Sequence, residues 1–373
     1  MKCGKKYHKK AFSLVSLTST VLIAVFIAIV GISAKKIINK ATEVAISVKN
    51  NQLYTGDAAA EIVINPINCS EVTITGANYG ENTNSNTCVI FLKNDGSSQT
   101  NYTVAVTGDF KMDILMVGGG GGGGPKNAGG GGGAGGLVFY PEFNISSQDI
   151  ITFKVGKGGA PAQTGQDSTF TYNSSTISAL GGGCGYPSNL GSVSACDGGS
   201  GGGVRHYTNG SPGSSIQNSG VAGVWVGYGN DGGGVDGVYS GAGGGGAGEA
   251  GSNSGNPANG DFSHGGDGIA VASLNSMDYD FADIFGIISG IGQASSGSVY
   301  FAGGGGGGGG QYNGDTLSGD GGLGGGGKGS DPTFSISSVP GADNTGGGGG
   351  AGASGGTDGA SGGSGVVLLR FYQ

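Results

Sequence analysis

Phe110-Lys111-Met112-Asp113-Ile114-Leu115-Met116-Val117 runs without a break into Gly118–Gly124, and the reading of that junction decides the fold. Four more tracts follow: Gly129–Gly133, Gly303–Gly310, Gly324–Gly327 and Gly346–Gly350, in a chain with 91 glycines among 373 residues. Glycine has no side chain to bury and loses the most backbone freedom on folding, so such a chain is disordered unless the glycines build something that requires them. The borders of the tracts argue for the second case. Gly136-Leu137-Val138-Phe139-Tyr140 leaves the second tract, Ile150-Ile151-Thr152-Phe153-Lys154-Val155 follows, and the chain closes on Gly365-Val366-Val367-Leu368-Leu369-Arg370-Phe371. Flexible linkers are polar throughout, whereas strands are bounded by turn residues in this way.

Collagen is excluded, because glycine does not recur at every third place and there are only nine prolines. The geometry left is a polyglycine II helix, left-handed with three residues per turn and about 3.1 Å of rise, so that eight residues span roughly 25 Å. Such a helix has no internal hydrogen bonds. Packed side by side, several can bond N–H to C=O between neighbours, with Cα–H···O contacts in support, and glycine alone permits that approach on every side. Ordering a residue costs about 1–2 kcal/mol and a net hydrogen bond returns about 1. A bundle therefore needs a scaffold, which the apolar border strands are expected to supply.

Gly265-Gly266-Asp267-Gly268-Ile269, Ile288-Ser289-Gly290 and Val299-Tyr300-Phe301-Ala302 before Gly303–Gly310 form an ordered pattern. So do Ala342-Asp343-Asn344-Thr345 before Gly346–Gly350, and Gly362-Gly363-Ser364 before the final apolar run. Together with Ile114–Gly122 this pattern resembles the bacterial and phage glycine-rich domain, over about residues 110–373. A similar domain occurs in receptor tyrosine kinases of the anaplastic lymphoma kinase type and in phage tail adhesins. The resemblance implies polyglycine II helices beside a β-sandwich, and extracellular binding or display without catalysis. It also implies that loops joining the helices, here 205–239 and 311–316, form a partner-contacting tip. The segment Ala270–Ile287 departs from the pattern, and Met277–Phe285 within it reads as one short helix or a capping loop.

Lys2, Lys5, Lys6, Lys9 and Lys10 precede an uncharged stretch from Ala11 to Ala34. A bilayer-spanning helix needs about 20 such residues, and flanking lysines stay on the cytoplasmic side. Lys9-Lys10-Ala11-Phe12-Ser13-Leu14-Val15-Ser16-Leu17 resembles a type IV prepilin leader, which implies processing between Ala11 and Phe12. Ala11 replaces that family's usual glycine, and Ser16 stands where it has a glutamate. Ile37, Ile38, Ala41, Val44, Ala45 and Val48 recur at helical spacing opposite a lysine-rich face, which extends the predicted helix to about residue 50. The alternative is a plain membrane anchor.

Between these parts, Glu61–Ile64, Val72–Thr75, Cys88–Leu92 and Tyr102–Val106 read as short strands, separated by Asn and Gly clusters. They form a small β module or pair with strands of the glycine-rich part. The expected organisation is a basic leader at 1–11, a transmembrane helix with amphipathic extension at 12–53, a β module at 54–109 and the glycine-rich domain at 110–373. The expected fold class is mainly β: an N-terminal transmembrane helix, then β-sandwich-like strands with a bundle of polyglycine II helices.

Outside the leader's Cys3, four cysteines allow three pairings, of which the local pairs Cys69 with Cys88 and Cys184 with Cys196 are favoured. Zinc ligation lacks both CxxC spacing and nearby histidines apart from His206. Catalytic motifs fail on inspection. Gly322–Lys328 imitates a phosphate-binding loop, but Gly329 occupies the Ser/Thr position. Gly198–Gly202 and Gly352–Gly356 match GxSxG in a chain whose histidines are His8, His206 and His264 alone. No enzyme activity and no cofactor are expected. Aspartates beside glycines, among them Asp231, Asp236, Asp261, Asp267, Asp315, Asp320, Asp343 and Asp358, read as turn residues or as an isolated calcium site.

Candidate ligand-binding residues are Arg205, His206, Tyr207, Trp225 and Tyr228, since aromatic side chains on loops anchor ligands. For Trp225 the favoured reading is packing under a loop, in a domain short of large core residues. The net charge is −8 with basic residues concentrated before residue 50, which argues against a nucleic-acid partner. The expected partners are the membrane, through the N-terminal helix, then other pilin subunits, and a surface glycan or protein. The expected location is membrane-anchored with the C-terminal domain outside the cell, in a surface pilus if the leader is processed.

Overall fold

A computed structural model describes residues 69–84, 87–186, 195–206, 210–235, 240–254, 263–312, 315–316, 318–332, 336–355 and 358–373. The described chain is mainly β in several sheets. One expectation is corrected: among the described residues no helix is long and apolar enough to cross a membrane. Residues 12–53, where the transmembrane helix was expected, and Ala11 and Phe12 at the processing site lie outside the described residues.

A 3-10 turn, Cys69–Glu71, precedes β1 (Val72–Thr75), β2 (Tyr79–Asn84), β3 (Thr87–Lys93), β4 (Gln99–Val106) and β5 (Phe110–Val117). Then come β6 (Leu137–Ile145), β7 (Ile151–Gly156), β8 (Ser168–Tyr172), β9 (Ser175–Ala179), β10 (Gly220–Val221) and β11 (Trp225–Tyr228). A hairpin of β12 (Val271–Leu274) and β13 (Met277–Asp280) leads into α1 (Phe281–Phe285), followed by β14 (Gln293–Ser295) and β15 (Ser298–Tyr300). The pair β16 (Gln311–Tyr312) and β17 (Asp315–Thr316) precedes β18 (Val366–Tyr372).

Two antiparallel sheets face each other. One has the order β1-β4-β7-β8-β9 and the other β10-β11-β6-β5-β18-β3-β2. Val104, Phe153, Val155 and Phe170 of the first meet Ile90, Met112, Ile114 and Leu369 of the second in one core. The seven-stranded sheet is also covered on its other face. There Leu115, Val117, Phe139 and Leu368 pack against Phe281, Phe285, Ile291 and Phe301. Burial on both faces explains why β5 and β18 read as unbroken apolar runs rather than alternating ones. The segment 270–287 supplies that second cover: Asp280 caps α1 through the Ala282 N–H at 2.9 Å, and Gly286 ends it.

The strands within 54–109 do not close on themselves. β4 pairs with β7, and β3 pairs with the last strand, Val366 lying opposite Lys93. β5 flanks β18 on its other side, so the first and last apolar segments meet at the sheet centre.

The glycine tracts leave this sheet as extended arms outside helix and strand. In Gly118–Gly124 the bonding direction repeats every three residues. Gly118, Gly121 and Gly124 donate to Gly136, Gly133 and Gly130; Gly119 and Gly122 to Gln166 and Gln163; Gly120 and Gly123 to Gly363 and Ala360, all at 2.8–2.9 Å. The carbonyls repeat likewise. Those of Gly119 and Gly122 accept from Gly182 and Gly185, those of Gly120 and Gly123 from Gly159 and Ala162, and those of Gly121 and Gly124 from Gly349 and Gly352. The tract is therefore bonded to six surrounding segments. A three-residue turn with bonds only to neighbours is the polyproline II geometry carried into a bundle. The arms at 129–135 and 303–309 are surrounded in the same way.

Candidate functional site

Among the described residues of the inner arms nearly every backbone N–H is bonded to a neighbouring arm and side chains are few. The arms running out from the sheet return through turns at the far end. There the turn at 125–128 holds Asn127 and Ala128 at φ 60° and 54°. The Asn127 N–H donates to Ala353 O at 3.0 Å, and the Ala128 carbonyl accepts from the His206 N–H at 3.3 Å. Lys126 Nζ lies 3.9 Å from Asp358 Oδ1, both side chains being largely exposed. The far end thus groups Lys126, Arg205, His206 and Asp358. Arg205 and His206 are half-buried at the end of the arm 198–204. Burial first, then the charge of Arg205, lowers the His206 pKa, which leaves the imidazole neutral at pH 7. Tyr207 lies outside the described residues.

Trp225 and Tyr228 are elsewhere. Val226, Gly227 and Tyr228 pair with Phe139, Val138 and Leu137, which places β11 at the sheet end of the bundle. Trp225 is 8% exposed and belongs to the inter-sheet core. Tyr228 packs against the second core, and its hydroxyl accepts from the Ser273 N–H at 2.7 Å. The expected tip loop 205–239 is therefore corrected: residues 220–228 extend the sheet. Val224-Trp225-Val226-Gly227-Tyr228 is a β-prone run, and an unpaired edge at Leu137–Phe139 receives it.

Cys69 bonds to Cys88, tying the 3-10 turn to β3 inside the inter-sheet core, and Cys184 bonds to Cys196 between two arms. The imitation of a phosphate loop is structural. Gly324 and Gly325 N–H both donate to Gln293 Oε1 at 2.7 Å, Gly326 N–H to Gly322 O and Gly327 N–H to Gly348 O. Lys328 pairs with Asp320 at 2.7 Å. Of the GxSxG serines, Ser200 is fully buried among the arms, and the Ser354 N–H donates to Gly309 O.

The aspartates have a role that motif reading missed. Asp231 Oδ1 accepts from Ser215 N–H, Asp267 Oδ1 from Leu323 N–H and Asp343 Oδ1 from Ser364 N–H, at 2.7–3.0 Å. Asp167 and Asp197 do the same for Gly181 and Ser214. Each fastens a neighbouring arm at a point where the three-residue repeat leaves an N–H unpaired. Asp236 and Asp261 lie outside the described residues, as does the Asp315 side chain.

The sequence model of a family described as "Glycine-rich domain" matches residues 96–372, well over half of the chain. The match begins in the turn before β4 and so includes β4, in the strand region that precedes the first tract. No curated protein matches the chain.

Proposed function

Because this chain belongs to the glycine-rich domain family, we propose that residues 69–373 are a rigid, non-enzymatic frame that displays loops for adhesion outside the cytoplasm. The observation that carries this reading is the bundle itself: among the described residues, nearly every N–H of the arms at 118–124, 129–135 and 303–309 is bonded to a neighbouring arm and Ala134 is the one side chain beyond hydrogen, which leaves recognition to the loops at its end. Two disulfides fit an oxidising compartment. The grouping of Lys126, Arg205, His206 and Asp358 offers a mixed-charge surface suited to the polar rim of a protein partner. The prepilin-like run Lys9–Leu17 supports export with processing between Ala11 and Phe12, and association with a surface pilus.

Three measurements test this. Cells producing the full chain are labelled with a membrane-impermeant biotin reagent; a protein that stays unlabelled until lysis removes the display reading. Attachment of those cells to a host-cell monolayer is then compared with that of the Lys126→Ala/Arg205→Ala variant. Attachment is expected to fall several-fold, and unchanged attachment at equal surface abundance excludes the far-end loops. Mass spectrometry of the mature protein is expected to show a methylated Phe12 at its N-terminus; any other N-terminus removes the pilus association.

A further inference from the structure

Asn-x-Ser/Thr, with x other than proline, is the acceptor sequence for N-linked glycans on exported proteins. Asn68 and Asn209 carry it but lie outside the described residues. Among the described residues three asparagines carry it: Asn101 before Thr103, Asn144 before Ser146 and Asn173 before Ser175. These three lie on the sandwich, and each is exposed.

The fold separates them. A transferase takes the three residues as one peptide, so the middle residue and the hydroxyl have to be accessible too. In the first, Tyr102 is 2% exposed and its hydroxyl donates to Asn78 O at 2.9 Å, in a strand flanked by β1 and β7. In the second, Ile145 is buried in the inter-sheet core and the Ser146 hydroxyl donates to Asp149 Oδ2 at 2.9 Å. Of the three, only Asn173-Ser174-Ser175 is exposed throughout. Asn173 and Ser174, at φ 47° and 63°, are the two-residue turn between β8 and β9, and Tyr172 pairs with Ser175 across it.

A turn with positive φ at both places accounts for Asn173 without any modification. It does not account for Ser175. The chain has a second turn of the same kind, Asn275-Ser276 between β12 and β13, at φ 54° and 62°. There the next residue is Met277. The same two turn residues thus fold without a hydroxyl at the third place, and that hydroxyl is what the acceptor sequence requires.

Ser168 and Ala179 pair at the bundle end of this hairpin, where the Ser168 hydroxyl donates to Val117 O at 2.7 Å, so the turn points away from the arms. β9 is an outermost strand of its sheet. The Gln217 side chain covers its bundle end, donating to Ser178 O at 3.1 Å and accepting from the Leu180 N–H at 2.9 Å. A glycan on Asn173 stands over the other end, where a bare strand edge invites pairing with other chains.

We propose that Asn173 is an N-glycosylation site, the acceptor for an oligosaccharide carried on a lipid diphosphate. The amide nitrogen of Asn173 bonds to the anomeric carbon of the sugar as that carbon's bond to the diphosphate oxygen breaks. The lipid diphosphate leaves with the electron pair, and the amide gives up one proton. The inference rests on the export contained in the display reading, but not on the far-end loops.

The test uses full-length protein from the cells that make it naturally, recovered by the impermeant biotin label and digested for mass spectrometry. The peptide with Asn173 is expected to be heavier by a glycan, and those with Asn101 and Asn144 to be bare. Ser175→Ala is expected to remove the glycan and Ser175→Thr to keep it. A bare Asn173 on labelled protein overturns the assignment, as does a glycan that survives Ser175→Ala, or equal occupancy at Asn101 or Asn144. Protein that is never labelled fails the display reading and takes this site with it, whereas labelled protein with a bare Asn173 fails this site alone.

Discussion

At the scale of single residues, the inner glycines are fixed by approach distance. A Cβ on Gly120 would lie 2.0 Å from Gly347 O, and one on Gly131 would lie 2.0 Å from Gly305 O. Both obstacles are backbone atoms of arms that are themselves bonded on every side, so neither can give way. Gly120→Ala or Gly131→Ala is therefore expected to cost about 3 kcal/mol, the upper end for overpacking. At Gly234 the nearest atom to a Cβ would be the Asn253 side chain at 3.4 Å, so Gly234→Ala is expected to be neutral within about 0.5 kcal/mol. Chemical denaturation of the three variants decides this, and equal losses in all three would deny that close approach is the constraint. A second prediction concerns Asp95, in the turn from β3 to β4. Hydrogen bonds from Ser97, then Thr100, lower its pKa to about 2. Its folded value lies below the unfolded value of about 3.9, so the stabilisation is present above that value and is lost as pH falls through about 2. Urea unfolding is expected to show Asp95→Asn less stable than the parent at pH 5, with the gap closing at pH 2. A gap that does not depend on pH would refute the charge-linked origin.

At the scale of elements, the apolar borders of the tracts were legible because a strand buried on both faces announces itself as an unbroken run. β5 and β18 show it, with only Lys111, Arg370 and Tyr372 less than fully buried. Arg370 and Tyr372 are explained by the buried Asp113, which Arg370 pairs with and the Tyr372 hydroxyl bonds at 3.2 Å. Partnership between distant strands was not legible. Nothing in Thr87–Lys93 says that it pairs with Val366–Phe371, and no local signal marks Trp225 as core rather than surface. Aspartates beside glycine were read as turns, because a clamp to an arm of distant sequence leaves no periodic trace. The local cysteine pairs were legible, since short separation and flanking strands favoured them. Closing the 19-residue separation of Cys69 and Cys88 is worth about 3 kcal/mol in the chain-entropy account. The Cys69→Ala/Cys88→Ala variant is expected to lose about that much, measured by guanidinium unfolding at equal protein concentration. A loss below about 1 kcal/mol would mean that the core around β3 holds without the bond.

At the scale of the whole molecule, the order of the arms in the chain differs from their order in space. The tract 118–124 bonds to 130–136 nearby, and also to 349–352 and 360–363, at the other end of the domain. Each inner arm has partners on all sides, so removing one leaves donors and acceptors of six others unpaired inside a body with little water access. An unmade buried hydrogen bond costs about 1–3 kcal/mol, more than the bond contributes when made. Partial loss of the bundle is therefore unfavourable, and the arms open together or not at all. The sheet belongs to the same unit, because β5, β6 and β18 are continuous with arms and form its centre. Amide hydrogen exchange is expected to reflect this. The N–H groups of Gly119, Gly122, Gly132 and Gly305, although outside any helix or strand, are expected to exchange as slowly as those of Leu115 and Leu368, at the rate of global unfolding. Amides in the exposed turn at Gly96 and Ser97 are expected to exchange orders of magnitude faster. NMR or mass-spectrometric exchange of the full chain checks it. Tract amides that exchange at coil rates while Leu115 stays protected would break the bundle away from the sheet, and the rigid frame that the proposed display function relies on would go with it.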